Sequence, residues 1–419
     1  MPRILLLMAT QTYRAASFLS AAAKLDLDVV VGSERTQSLA AHNPSGHLTL
    51  DFASPERAAE EIARFGRALP LDAIVAADDD GVIPAALASA ALGLRSNDVE
   101  AVRAARDKHR MREVLAAAGV AGPRFRLVSA KENPSRIAAS LFYPCVLKPR
   151  SLSASRGVIR TDDPESFERA FGRVARILAG EQDDAILVEE FIPGNEVAVE
   201  GLLTDGTLRV LAIYDKPDPL DGPFFEETIY VTPSRWPAAV QEAAAACVQR
   251  VARELGLSHG PVHAEVRLNA SGPVILEAAP RSIGGHCSRT LRFGEGVSLE
   301  ELILRHALGL EVSGMERESS AAGVMMIPAP GAGILESVSG REAAAAVPGV
   351  EEVEIAIPPG QEVVPPPEGY RYLGFIFARM AGPDAVESAL REAHRRLRFG
   401  IRPLHSGPGG PTMDGHIHA

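Results

Sequence analysis

Glu265 and Glu277 stand in the stretch HAEVRLNASGPVILEAAPRSIGGH, residues 263–286, on two apolar or alternating runs joined by the turn-forming NASGP. Such a pattern predicts a β-hairpin. Its strands can bring the two carboxylates onto one face, with the register left open at this stage. Neighbouring carboxylates repel unless a cation lies between them, and magnesium, held by one or two carboxylates together with water and substrate phosphates, suits that position. Arg281 and Gly284-Gly285 follow directly, and a guanidinium beside an acidic pair points to a bound anion. The competing reading is a surface hairpin with solvated charges. Glu277 weighs against it by interrupting the apolar VILEAA, where a glutamate is seldom buried without a partner.

Further groups of the same chemistry lie upstream. In YPCVLKPR, Lys148 ends an apolar strand just before Pro149, so its ammonium needs an acceptor once partly desolvated. The following SLSASRGV carries Ser151, Ser153, Ser155 and Gly157 between Arg150 and Arg156, and such a loop can close on phosphate oxygens through N–H and hydroxyl donors. Read alone, it is a flexible turn. Lys108, in the polar DKHR, reads by itself as a solvated lysine. AILVEEFIPGNEVAVEGLL sets Glu189, Glu190, Phe191, Ile192 and Glu196 at the mouths of two strands, with Gly194-Asn195 expected as the turn between them. YDKPDPLDGPFFEETIYVTPSRWP, residues 214–237, is too polar and proline-rich for a regular element, and long irregular segments commonly line substrate pockets.

These groups need a scaffold, and 419 residues imply two or three domains. A formal charge of -11 disfavours nucleic-acid binding, which clusters Lys and Arg. Three scattered cysteines fit a reducing compartment, the opening ILLLMA is too short for a signal core, and no apolar stretch reaches transmembrane length, so a cytoplasmic location is expected. The chain opens as β-α-β, with strands at Arg3–Met8 and Asp28–Val31 around a helix; a second such unit follows at DAIVAADDDGVIPAALASAALGL. A parallel sheet places its ligand crevice at the carboxyl ends of the strands, near Thr10–Arg14 and Asp78–Gly81. Neither end carries a dinucleotide glycine fingerprint, and no Walker-type loop occurs anywhere. The fold class expected is α/β and α+β. Residues 1–97 are expected as an N-terminal parallel α/β domain, 314–404 as a small α+β accessory domain and 405–419 as a disordered tail, and the family resemblance set out next implies for 98–313 a nucleotide- and metal-binding domain of two α+β subdomains.

Taken in order, Lys108, VLKPR, SLSASRGV, LVEEFIPGNE, HAEVRL and VILEAAPRSIGG resemble the signature of the ATP-grasp superfamily over roughly the first three quarters of the chain. Within it the chain looks most like the L-amino-acid ligase group, because EAAPR replaces the commoner E-x-N-P-R and a late domain follows. The resemblance implies ATP and one or two Mg2+ ions, with Mn2+ able to substitute. Lys108 and Lys148 would touch phosphates, and the serine loop with Gly157 would cover them. Glu189 and the backbone from Glu190 to Ile192 would bind adenine, and Glu196 the ribose. Glu265 and Glu277 match the magnesium ligands, while Ala279 stands where an asparagine ligand is usual. Arg281 matches the arginine that steadies a phosphorylated intermediate, with Lys148 and Glu277 beside it in catalysis. Substrate contacts fall to Lys216, Glu227, Arg281, Gly284 and Gly285.

The activity this implies is an ATP-dependent carboxylate–amine ligase working through an acyl phosphate. Its partners are small acids and amines; homodimers are common in look-alikes. The alternatives are a bicarbonate-using carboxylase or carbamoyl-phosphate-type enzyme, and a non-catalytic nucleotide-binding regulator. His263 reads as a residue behind the metal ligands, and Trp236 as a packing residue.

Overall fold

The computed structural model describes residues 1–35 and 46–404, so the tail expected at 405–419 lies outside the described residues. Strands Arg3–Leu7, Asp28–Ser33, His47–Thr49 and Ala73–Ala76 make a parallel sheet in which Arg3–Leu7 lies between Asp28–Ser33 and Ala73–Ala76. Ile4 to Leu7 are wholly buried, as an unbroken apolar run demands when helices cover both faces. At the carboxyl ends Asp78 accepts hydrogen bonds from the Ala9 amide at 3.2 Å and the Thr12 hydroxyl at 2.9 Å, which closes the expected crevice. Arg14, also buried, donates to the Ala77 carbonyl and pairs with Glu300, fastening this domain to helix Leu299–Ala307.

A short antiparallel sheet follows, built from Phe125–Ser129, Ala185–Glu190, Cys145–Pro149 and Ile159–Thr161 in spatial order. Helix Pro164–Leu178 packs on it. Asp163 caps that helix and Pro164 begins it, and the Phe167, Phe171, Val174 and Leu178 face is buried.

The largest sheet has eight antiparallel strands, in the order Gly272–Ala279, Gly260–Asn269, Asn195–Thr204, Thr207–Asp215, Ile229–Thr232, Ala321–Ile327, Gly374–Met380 and Val350–Ile355. Three departures from expectation lie here. Gly194-Asn195 is not a hairpin turn, because the strands on either side belong to different sheets. Gly194 has φ +124, and a Cβ there would sit 2.3 Å from the Leu268 carbonyl oxygen, so glycine lets the chain cross between sheets. Within the polar 214–237 segment, Ile229–Thr232 is a buried central strand, too short to announce itself between prolines. The region 314–404 supplies three strands to this same sheet, and its separate part is the smaller sheet of Glu362–Val363, Gly333–Ser339 and Arg398–Arg402. Strand pairing across the 313 boundary depends on edges that only the fold brings together.

Candidate active site

A cleft opens between the short sheet and the eight-stranded one, lined by Lys108, Lys148, Ser153, Ser155, Glu189 to Ile192, Glu196, Glu227, Glu265 and Glu277, among others. The hairpin forms as expected and its register is now defined. Glu265 lies directly opposite Glu277, with the pairing shifting just beyond, at Val266. Residues so opposed project from the same face.

The two carboxylates nevertheless meet different cations. Glu277 faces Lys108 at 3.8 Å. Glu265 faces Lys216, whose ammonium lies 2.9 Å from Glu265, 2.7 Å from Glu227 and 2.6 Å from Glu196. Burial works against the charge on Lys216, but Glu196, Glu227 and Glu265 outweigh it and hold its pKa well above the ordinary lysine value. Burial also opposes the charge on Glu265, yet Lys216 and His263 keep it well below the usual carboxylate range. Glu227, in contrast, is raised by burial against the pull of Lys216, so of this adjacent pair it is the one that retains a proton longer. Ligand atoms of Glu196, Glu227 and Glu265 come within 4.8 Å of one another around the Lys216 ammonium, while Glu265 and the opposed Glu277 offer the oxygen donors that a hard divalent cation takes. His263 stands behind this group, paired with Glu200 on one nitrogen and 4.0 Å from Glu265 on the other. Glu200 in turn accepts from the Ile283 amide, fixing the chain that leads to Gly284.

At the other end of the cleft Lys148 lies 2.5 Å from Glu189, and Arg112 clamps the same carboxylate with contacts of 2.7 and 3.3 Å. Arg112 also donates to the Leu276 carbonyl at 2.6 Å, joining the nucleotide wall to the strand that carries Glu277. Burial lowers the Lys148 pKa, with Glu189 opposing. Glu189 stays below its usual range because Arg112 and Lys148 outweigh its burial. Glu196 is held on its second oxygen by Arg267 at 3.1 Å, and the guanidiniums of Arg160 and Arg267 lie 4.1 and 5.6 Å from the Phe191 ring centre. Glu190 is half-exposed and pairs with Arg124.

The serine loop is held open-backed over this cleft. Lys108, buried despite its polar surroundings in sequence, donates to the Leu152 carbonyl at 2.7 Å. Gly157, at φ +75, packs where a Cβ would strike Pro149 at 2.7 Å, and its amide donates to the Pro367 carbonyl at 2.8 Å. Arg281 is not isolated either. It contacts Asp79 of the N-terminal domain at 3.0 Å, and Arg106 reaches the same carboxylate at 3.1 Å. Despite burial, Arg281 and Arg106 hold Asp79 far below the carboxylate range. Gly284 has open space around it, and Gly285, at φ +58, leads to His286, which packs against Tyr13 and Phe375.

Thus the cleft collects Lys108, Lys148, Ser153, Ser155, Glu189 to Ile192, Glu196, Glu265 and Glu277, while Ser151, Gly157, Arg281, Gly284 and Gly285 are not among the residues that line it. Lys216 lies within the carboxylate group, and Glu227 belongs both to that group and to the wall of the cleft. Reading the sequence did not single out Arg112, Arg267, Glu200, Arg106 or Asp79 as site residues. For Arg112 a signal existed, since it lies one helical turn from Lys108 in helix Lys108–Ala117 and so shares its face.

Comparison with known proteins gives this geometry a family. The family described as ATP-grasp domain matches residues 141–290, that of ATP-grasp N-terminal domain residues 19–95, and that of L-amino acid ligase C-terminal domain 2 residues 325–402. The solved L-amino acid ligase from Bacillus licheniformis is 26% identical with a TM-score of 0.78, covering 96% of this chain and 100% of that one. An uncharacterized protein of Sinorhizobium fredii, y4rH, is 26% identical over 82% of this chain and 71% of its own length. The alanine–anticapsin ligase of Bacillus subtilis (strain 168) is 28% identical over 59% of this chain, which spans 56% of that ligase. Use of ATP and magnesium is general to this family. The chain carries ATP-grasp domains followed by an L-amino acid ligase C-terminal domain, and over 96% of its length its fold is similar to that of a solved L-amino acid ligase.

Proposed function

We propose that the protein is an ATP-dependent carboxylate–amine ligase that forms an amide or peptide bond through an acyl phosphate, with an amino acid as one substrate. The observation that supports this most is the convergence, on one cleft, of two lysines, a serine loop and the opposed Glu265 and Glu277. Adenine lies against Phe191 and Ile192 and the backbone from Glu190, with Glu196 towards the ribose. Lys108, Lys148, Ser151, Ser153, Ser155 and Gly157 hold the triphosphate.

A carboxylate is a poor electrophile, so its oxygen attacks the γ-phosphorus and the bond to ADP breaks. The amine nitrogen then attacks the acyl carbon, and inorganic phosphate leaves. Lys108 and Lys148 offset the charge of the phosphoryl group in flight. Magnesium or manganese, held by Glu265 and Glu277, would supply Lewis-acid stabilisation of phosphate charge. Arg281, oriented by Asp79, steadies the acyl phosphate and the oxyanion formed as the amine adds. The serine loop excludes water that would hydrolyse the acyl phosphate. Gly284 and Gly285 leave room for substrate backbone beside Arg281. Lys216 and Glu227, bound to each other at 2.7 Å, act on substrate from within the carboxylate group. A homodimer and a cytoplasmic location belong to the same proposal.

Phosphate release from ATP and magnesium, measured across single and paired amino acids with Glu277→Gln as control, tests this reading. Release that requires both an acid and an amine and vanishes in the control supports it. Release with bicarbonate alone would replace it with a carboxylase, and ATP binding with no release under any pair would replace it with a regulator.

A further inference from the structure

A second pocket lies away from the nucleotide cleft. One wall comes from the N-terminal domain: strand Ala73–Ala76, helix Val82–Leu92 and Arg95 to Asn97. The other comes from His259 to Pro261, Pro280 and helix Leu299–Ala307. Ala73–Ala76 is the edge strand of its sheet, so the cavity covers a strand edge as well as apolar side chains.

Three polar features in this apolar lining lack the partners that a purely structural role would give them. The Ser89 hydroxyl is buried, in a residue 1% exposed, with no hydrogen-bond partner. A buried hydroxyl left so costs stability unless something completes it. Arg95 is exposed at the cavity and, among the described residues, neither a hydrogen bond nor an ion pair engages its guanidinium. His259 and His306 stack at 4.5 Å, with His306 bound to the Thr204 hydroxyl through one nitrogen only. The lining thus offers apolar surface, one buried hydroxyl without a partner, the solvent-facing guanidinium of Arg95, and two imidazoles that burial holds towards the neutral form, able to donate an N–H.

We propose that this cavity is an effector site for a small organic carboxylate with a branched aliphatic body: the anion on Arg95 and the imidazole pair, the body among Val75, Val82, Ala86 and Ile303, and a polar atom on Ser89. The site is placed to be felt by the chemistry. Pro280 lines the cavity and immediately precedes Arg281, and the edge strand ends at Ala76, three residues before Asp79, the partner of Arg281. Anything that fills the space presses on both ends of that pair.

The test uses the full chain and 4-methylvalerate as probe, with ATP and magnesium present. Binding is followed by calorimetry, and the rate by phosphate release or, if no substrate pair is known, by the thermal shift that ATP produces. The wild-type protein should bind the probe, and Arg95→Ala should weaken binding by about fivefold, the scale of a partly solvated ion pair. Ser89→Ala separates ligand binding from structure: it should raise the melting temperature of the free protein while weakening the probe. Ala86→Phe should abolish binding by filling the space, and if it fails to fold the other two variants decide. Equal affinity for wild type, Arg95→Ala and Ser89→Ala, or no binding, would overturn the site. Binding that changes neither rate nor ATP response would overturn its effector role.

Discussion

Lys216→Met isolates the electrostatics of the carboxylate cluster from catalysis, because its effect is read in stability with no substrate present. The ammonium makes three contacts of 2.6–2.9 Å, to Glu196, Glu227 and Glu265, and is almost wholly buried. Removing one partner of a buried ion pair costs about 3–5 kcal/mol. A second route gives the same scale: two charged carboxylates within 4.8 Å of each other repel by about 3.5 kcal/mol or more at an effective dielectric near 20. With an unfolding entropy of about 0.9 kcal/mol/K for 419 residues, the melting temperature should fall by about 3–6 °C at neutral pH. The pH dependence identifies the cause. In the wild-type protein Glu265 is depressed, so its contribution is complete above the unfolded carboxylate value of 4.5 and is lost as pH falls through the folded value. In the variant the folded carboxylates take up protons more readily than the unfolded ones, and acidification relieves the repulsion. The gap between the two proteins should therefore be wide at about pH 7.5 and narrow towards about pH 5. Magnesium without nucleotide should raise the melting temperature of the variant more than that of the wild type. A gap that stays constant with pH, together with an unchanged magnesium response, would refute the electrostatic account and leave only lost packing.

Asp79→Asn should lower phosphate release by about 10–100-fold through misplacement of Arg281, with ATP affinity kept within about threefold. Because Asp79 is depressed in the folded protein, its stability contribution is present above 3.8 and lost on acidification, so the variant should also show a shallower acid limb in thermal unfolding. Arg112→Leu leaves buried Glu189 with Lys148 alone, and equilibrium or thermal unfolding should report a loss of about 3–5 kcal/mol. Glu368, paired with Arg173 at 2.5 and 2.8 Å next to the Pro367 carbonyl that holds Gly157, fastens the serine loop to the C-terminal region. Steady-state kinetics of Glu368→Ala should show KM for ATP raised about two- to fivefold, with more phosphate release in the absence of amine.

Much of the chemistry was local and hence legible along the chain. A turn-forming NASGP between two apolar runs, a lysine leaving a strand before proline, and a serine-glycine loop are properties of neighbouring residues, set by side-chain periodicity and backbone preference. So was the parallel sheet of the N-terminal region. What lay beyond reach is pairwise and distant. Asp79 meets Arg281 across the fold, Arg112 reaches Glu189, and Lys216 draws three glutamates from three different strands or loops. Charge partnership depends on distance in space, which sequence spacing does not encode once the chain turns back on itself. The same holds for the short strand Ile229–Thr232, which is a strand only because edges at Asp215 and Ala321–Ile327 stand ready on either side. The residue types that do chemistry were therefore written in the sequence. Which carboxylate each cation answers, and how the domains share one cleft, was decided by tertiary packing, because only there does burial raise the cost of leaving a charge alone.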